Sequence, residues 1–251
     1  MIRESNLLEY LEILSFEIGN GCNLAEKHDR SPINQRKYVN NKNKLSSRKI
    51  LECIKEAQLI GFNGYVAFHY YNEPLLYKEK IEKIIVKTRN QKFVLFTNGT
   101  LLNEKVENNS ILNLFDIKVI TCYDKKSMDF LNKIKSYYSN VIINSADLDD
   151  RLNIYKSDYN NILGCKRPLL ELPIDYYGNI HLCCYDWDNQ HYIGNINEKS
   201  LREIIESPHY ETVLNVTKQR LLNLEKVPEI CKRCNHILLT KQKLSDFRSY
   251  I

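Results

Sequence analysis

Residues 46–70, SSRKILECIKEAQLIGFNGYVAFHY, decide the fold. Ser46 and Ser47 are N-cap residue types, and Ile50, Ile54, Ala57 and Gln58 recur at helical spacing, which predicts a helix to about Ile60. Gly61–Gly64 stops it, and Tyr65–Tyr70 is the next strand. Upstream, Glu12–Ile18 reads as a strand followed by a long polar loop through Leu45. Downstream, a helix near Tyr77–Arg89 leads to a strand at Lys92–Thr97. A short helix after Leu102 then precedes a strand at Asp116–Thr121. A helix near Ser127–Tyr138 and a strand at Val141–Asn144 complete the series. Repeated βα units imply a parallel sheet, either open or closed into a barrel. In both arrangements the site lies at the C-terminal strand ends. That rule gathers Asn20–Ser31, Asn72–Pro74, Thr97–Thr100 and Cys122–Asp124 at one mouth.

The 251 residues, 43% apolar and 27% charged, suffice for a substantial core and exclude global disorder. Apolar runs of only a few residues exclude a spanning helix, so no membrane partner is expected. The start MIRESNLLEYLE is charged throughout and has no secretory h-region, from which a cytoplasmic location is expected. A net charge of +5, spread along the chain, lacks the clustered basic face of a nucleic-acid binder.

Cysteines stand at 22, 53, 122, 165, 183, 184, 231 and 234. In a reducing compartment such a set points to metal or redox chemistry rather than disulfides. Cys231-Lys-Arg-Cys234 presents two thiolates to one metal across a turn. Its candidate partners are Cys165, after Gly164, and one of Cys183 and Cys184. The latter pair closes LLELPIDYYGNIHLCC, residues 169–184, which reads as a hairpin with Gly178 in the turn. Adjacent strand residues face opposite ways, so only one of the two joins the ligand set. Four thiolates from these segments fit zinc or an iron–sulfur cluster. Cys53 and Cys122 read as buried or rim thiols. Helices near Ser200–Glu206, about Tyr210–Leu222 and after His236 are expected beyond the hairpin.

In order along the chain, SFEIGNGCNL (15–24), HYYNEPLL (69–76) and TNGTLL (97–102) resemble the radical S-adenosylmethionine (radical SAM) enzymes. The C-terminal run resembles the twitch form of the SPASM module, including IGNI at 193–196 and SLREIIESPHY after it. The resemblance implies an α/β partial (β/α)5–6 barrel over residues 1–150. Residues 151–251 then form a cysteine-rich hairpin-plus-helix module with a C-terminal helix. It further implies an auxiliary [4Fe–4S] cluster on Cys165, Cys183, Cys231 and Cys234, choosing Cys183 over Cys184 by the G-x4-C spacing from Gly178. Asn72, Glu73, Pro74, Thr97 and Asn98 fall at SAM-binding positions of such enzymes. The implied activity is hydrogen abstraction by a 5′-deoxyadenosyl radical. The substrate would be a small polar molecule, cyclitol or sugar-like, or a peptide, and the electron donor of flavodoxin or ferredoxin type. The compact chain looks most like the aminocyclitol dehydrogenase type.

The first loop departs from the family pattern. CxxxCxxC would need cysteines at 26 and 29, where Glu26 and Asp29 stand. A wider C-x5-C-x2-C reading gives Cys22, His28 and Ser31, in which histidine can ligate iron and serine is a poor substitute. His28 is also read as a plain loop histidine. This degenerate motif leaves the second [4Fe–4S] cluster and SAM cleavage as the open question. It sets a binding or scaffold protein that keeps only the auxiliary cluster against the enzyme. Arg151, before the cysteine module, is a candidate for binding a substrate anion or for proton transfer, with a surface ion pair as its plain reading. Asp186 is similarly placed beside the cluster, and Trp187 reads as packing.

Overall fold

The computed structural model describes residues 11–25, 44–88, 90–145, 167–187, 191–210 and 229–232. The opening helix, α1 (Ser47–Leu59), is capped by the Ser46 hydroxyl, which accepts the Lys49 N–H at 3.1 Å. It buries Ile50, Cys53, Ile54 and Ala57, and Gly61 at φ +100° turns the chain away from it. Cys53 therefore completes the apolar stripe, while Gln58 reaches sideways to Gln91.

Strands β1 (Ile13–Phe16), β2 (Tyr65–Ala67), β3 (Lys92–Thr97), β4 (Ile117–Cys122) and β5 (Val141–Ser145) pair in parallel, each with the next. Helices α2 (Lys78–Lys87) and α3 (Met128–Tyr137) make the crossovers to β3 and β5. A further strand, β6 (Glu171–Ile174), pairs in parallel with β1, Ile13 opposite Glu171. Short strands β7 (Asn179–Ile180) and β8 (Gly194–Asn195) follow antiparallel. The sheet order is β5-β4-β3-β2-β1-β6-β7-β8. Strands β1 to β5 thus add in one direction, the winding of a partial barrel rather than of a doubly wound sheet.

Strand alternation divides the core. Leu14, Val66, Phe93, Leu95 and Ile120 join the large cluster with α1, α2 and α3, while Ile13, Ala67, Val94 and Val119 form a smaller cluster on the opposite face. Small and β-branched side chains on that second face suit the concave side of a curled sheet.

Two local expectations are corrected. The helix after Leu102 is instead two 3-10 turns, Val106–Asn108 and Ser110–Leu114. Buried Asn109 accepts the Asn103 N–H at 2.7 Å and donates to the Asn103 and Val106 carbonyls, competing with an α-helical ladder. Cys183 and Cys184 lie not on a strand but in a turn closed by the Asp186 N–H on the Cys183 carbonyl at 3.0 Å. Strand alternation therefore does not govern their directions. The hairpin turn itself is as expected, with Gly178 at φ +85° and Asp175 Oδ1 accepting the Tyr177 and Asn179 N–H groups.

The last described helix of any length, α4 (Leu201–Ile205), begins with a capping box between Ser200 and Glu203. Glu56 of α1 also accepts the Leu201 and Arg202 N–H groups at 2.9 and 3.0 Å, fastening α4 to the sheet-covering layer. Of the helix expected about Tyr210–Leu222, only Tyr210 is among the described residues, and the helix after His236 lies outside them. Among the described residues no helix is long and apolar enough to cross a membrane.

Candidate functional site

The C-terminal ends of β1, β2 and β3 converge as the βα alternation requires. After β1 the chain crosses Gly19, where a Cβ would stand 2.1 Å from the Tyr77 ring, so only glycine permits this approach. The Gly21 N–H donates to the Tyr77 hydroxyl at 2.8 Å, and the Glu73 N–H donates to the Gly21 carbonyl at 2.9 Å. The loop carrying Cys22 is thus held on both sides by the segment that follows β2.

Glu73 is the hub. It is 2% exposed, and its Oε1 accepts the Leu75 N–H at 3.0 Å and the Thr97 hydroxyl at 2.7 Å. Its Oε2 accepts the Asn98 N–H at 2.9 Å. Burial pushes its carboxyl above the usual range, against the opposing pull of those donors and of the Lys78 charge. Asn98 Nδ2 lies 3.9 Å from Cys22 Sγ and donates to Asn23 Oδ1 at 3.0 Å. Burial raises the Cys22 thiol, and the Glu73 charge adds to it, while the Leu24 N–H and Asn98 act the other way.

Asn72 is turned inward, accepting the Tyr70 N–H at 3.2 Å and donating to the Phe68 carbonyl at 3.1 Å. Pro74 starts the 3-10 turn Pro74–Tyr77 that feeds α2. Beside this hub, a cavity of about 710 Å³ opens between Leu24, Asn98, Thr100, Cys122, Asp124 and Phe130. That volume lies in the range of small-molecule sites, about 300–1,000 Å³.

A second cluster surrounds the cysteine turn. Cys183 is half-buried, and its sulfur accepts the Tyr185 N–H at 3.4 Å, the contact a ligating thiolate favours. Arg167 donates instead to Cys184 Sγ at 3.2 Å and stacks on the Tyr185 ring at 5.5 Å. His181 is fully buried, with Nδ1 on the Asp186 carbonyl at 2.6 Å and Nε2 on Asp175 Oδ2 at 3.1 Å. Burial acts to raise Asp175, but the His181 hydrogen bond and charge, with Asn179, outweigh it and hold the carboxyl low. Asp186 is buried too, its Oδ2 accepting the Leu182 N–H at 3.4 Å.

Tyr70 and Tyr71 bridge the two clusters. The Tyr70 hydroxyl reaches the Asp186 carbonyl at 3.1 Å and the Cys183 carbonyl at 3.3 Å, and the Tyr71 hydroxyl donates to the Cys184 carbonyl. The sequence reading missed both tyrosines, along with His181 and Tyr77. The signal was a paired tyrosine directly before Asn72-Glu73-Pro74, since a buried phenol needs an acceptor.

The structure therefore brings Cys22, Glu73, Pro74, Thr97 and Asn98 together, and sets Cys183 and Asp186 in the adjoining turn. Cys231 is half-buried behind buried Ile230. His28, Ser31, Arg151, Cys165 and Cys234 lie outside the described residues.

Residues 165–235 match the SPASM family, described as an iron–sulfur cluster-binding domain. The S-adenosyl-L-methionine-dependent 2-deoxy-scyllo-inosamine dehydrogenase of Niallia circulans is 19% identical over 254 residues, covering 94% of this chain and 97% of that protein. The crystal structure of BtrN in complex with AdoMet and 2-DOIA superposes with a TM-score of 0.71 at 18% identity, covering 93% of this chain and 96% of that one. BtrN in an open conformation gives 0.63 at 17% identity, covering 92% and 96%. The chain has the fold of BtrN, and its residues 165–235 match the SPASM domain. Within that fold the hub at Glu73 occupies the mouth of the parallel strands, and the SPASM-matching segment supplies the Cys183 turn beside it.

The two implied groups differ in fit. The SPASM match spans Cys165, Cys183, Cys184, Cys231 and Cys234, enough thiols for the four-cysteine ligation of a [4Fe–4S] cluster, and the Cys183 sulfur already receives an amide N–H. In the first loop Cys22 is the lone cysteine between residues 1 and 52. Among the described residues no three His, Cys, Asp or Glu side chains gather to hold a metal. A three-thiolate site is not what this loop provides.

Proposed function

We propose that the chain is a radical-SAM-type oxidoreductase that carries an auxiliary [4Fe–4S] cluster in its SPASM domain and acts on a small polar, cyclitol- or sugar-like substrate or on a peptide. The observation that carries this reading is the convergence of Cys22, Glu73 and Asn98 beside a cavity of about 710 Å³, with the cysteine turn tied to the Glu73 segment by Tyr70 and Tyr71. The similarity to the 2-deoxy-scyllo-inosamine dehydrogenase, spanning nearly both chains, favours the small polar substrate. When bound, SAM with a reduced cluster supplies a 5′-deoxyadenosyl radical able to take hydrogen from an unactivated C–H bond.

The chain's own residues supply the setting. Glu73 fixes the Asn98 backbone and the Cys22 loop in one arrangement, so that Asn98, Thr100 and Leu24 form a wall of the cavity. Cys122 and Phe130 give that wall apolar surface, which favours exclusion of water from the reacting carbon. Arg151 is the candidate for a substrate anion. The burial of Asp186 in its own turn favours a role in shaping the cysteine site over proton transfer. An electron donor of flavodoxin or ferredoxin type belongs to the same proposal.

A second reading rests on the lone cysteine of the first loop: a binding or scaffold protein that keeps the auxiliary cluster and has lost SAM cleavage. Iron and sulfide analysis after anaerobic reconstitution separates the two. About eight irons per chain supports the enzyme, and about four supports the scaffold. A colourless protein holding zinc contradicts both.

A further inference from the structure

We propose that Tyr70 and Tyr71 are positioning residues that lock the cysteine turn to the segment carrying Glu73. Loading of the SPASM cluster and order in the Asn72–Pro74 segment then rise and fall together. The proposal rests on the reading of Cys183 as a cluster ligand. It goes further in assigning a physical link between the two sites to two phenol side chains that bind the backbone of the cysteine turn.

The contacts form an unbroken series. Tyr70 is 1% exposed, and its single phenolic proton is shared between the Cys183 and Asp186 carbonyls, 113 and 116 residues away in sequence. Tyr71 holds the intervening Cys184 carbonyl. The Asp186 carbonyl also receives His181 Nδ1, whose ring lies 4.9 Å from that of Tyr70. On the other side, the Tyr70 N–H donates to Asn72 Oδ1, and Asn72 adjoins Glu73, which binds Gly21, Thr97 and Asn98. From Cys183 to Cys22, each step is a hydrogen bond or one residue of chain.

These bonds to backbone carbonyls fix where the Cα–Cβ bond of Cys183 points, because rotating the turn to carry the cysteine away breaks the bonds to both tyrosines. A cluster that fixes the sulfur must therefore also fix the carbonyls, and through them residues 70–73. Equilibrium coupling of this kind is reciprocal, so ordering residues 70–73 must also favour cluster retention. Phenylalanine at either position fills the same space and donates nothing, which isolates the hydroxyl contribution.

Hydrogen–deuterium exchange on the full chain tests this, with the protein anaerobically reconstituted and again after iron removal by a chelator. Cluster loading is expected to slow exchange in peptides covering residues 68–77 of the unaltered chain. The Tyr70→Phe/Tyr71→Phe variant is expected to take up the cluster but lose that protection. It should also release iron to the chelator about tenfold faster, the worth of one to two lost hydrogen bonds. A shifted electron paramagnetic resonance signal of its reduced cluster is expected as well. Tyr71→Phe alone, at the less buried position, should show the same changes in smaller measure and carries the test if the double variant does not fold. Equal exchange over 68–77 with and without cluster, or a double variant indistinguishable from the unaltered chain, overturns the proposal. A chain that takes up no iron–sulfur chromophore removes the underlying reading, and the proposal with it.

Discussion

The backbone N–H of Asn98, just after β3, donates at 2.9 Å to Oε2 of Glu73, 25 residues earlier in the segment that follows β2. With the Thr97 hydroxyl and the Leu75 N–H on Oε1, this makes Glu73 the pin that holds two strand ends and the Cys22 loop together. A carboxylate so placed is structural and electrostatic at once.

Its electrostatic side has a definite sign. Burial raises the folded-state value of Glu73 above the ordinary carboxylate value of about 4.3. The group's contribution to stability is therefore full below that ordinary value and is lost as pH rises through the raised one. Urea unfolding between weakly acidic and neutral pH should show the unaltered chain losing stability relative to Glu73→Gln as pH rises. A constant difference across that range contradicts the assignment.

The Glu56 carboxylate, shared between the Leu201 and Arg202 N–H groups, ties the start of α4 to α1. Glu56→Ala should cost about 1–2 kcal/mol, the usual worth of a helix N-terminal cap. Glu56→Gln keeps one acceptor oxygen and sets its NH2 against the second N–H, so it should recover only part of that loss. The denaturant midpoint of each variant reads this directly, and an unchanged midpoint for Glu56→Ala shows the capping box of Ser200 to be sufficient.

Cys183 and Cys184 should behave differently although they are neighbours. Cys183→Ser should lower iron content by about four per chain, since it removes a thiolate ligand. Cys184→Ser should leave iron content unchanged and alter only the Arg167 contact. Iron loss from Cys184→Ser with retention in Cys183→Ser reverses the ligand assignment.

The parallel strands were legible because apolar and βα periodicity are local signals. Ser46 announced α1, and the strand ends that the pattern sent to one mouth meet there. The cysteine turn was not legible, because part of what ends β7 after Ile180 is non-local: the Tyr70 and Tyr71 hydroxyls take the Asp186 and Cys184 carbonyls from 116 and 113 residues away, beside the local Asp175–His181–Asp186 network. The same holds for β6, whose parallel place beside β1 joins residues over 150 positions apart. Within the SAM-binding candidates, the pattern pointed to Asn72 and Glu73 without revealing that both side chains are spent on neighbouring protein groups. Asn109 likewise redirected a helical stretch through its own side chain.

Ser31 stands where the wider first-loop spacing places a third ligand, and its hydroxyl stays protonated where a cluster iron demands a soft thiolate. Ser31→Cys should therefore raise iron content after reconstitution above that of the unaltered chain. Equal and full loading of both chains means that a ligand elsewhere completes the first-loop site.

The most direct measurement of the central claim is 5′-deoxyadenosine formed from SAM by the anaerobically reconstituted chain with dithionite, read by liquid chromatography and mass spectrometry. The account predicts slow formation above the reductant-free control in the unaltered chain and faster formation in Ser31→Cys. No 5′-deoxyadenosine from either protein, with the auxiliary cluster fully loaded in both, contradicts it and leaves a cluster-bearing scaffold.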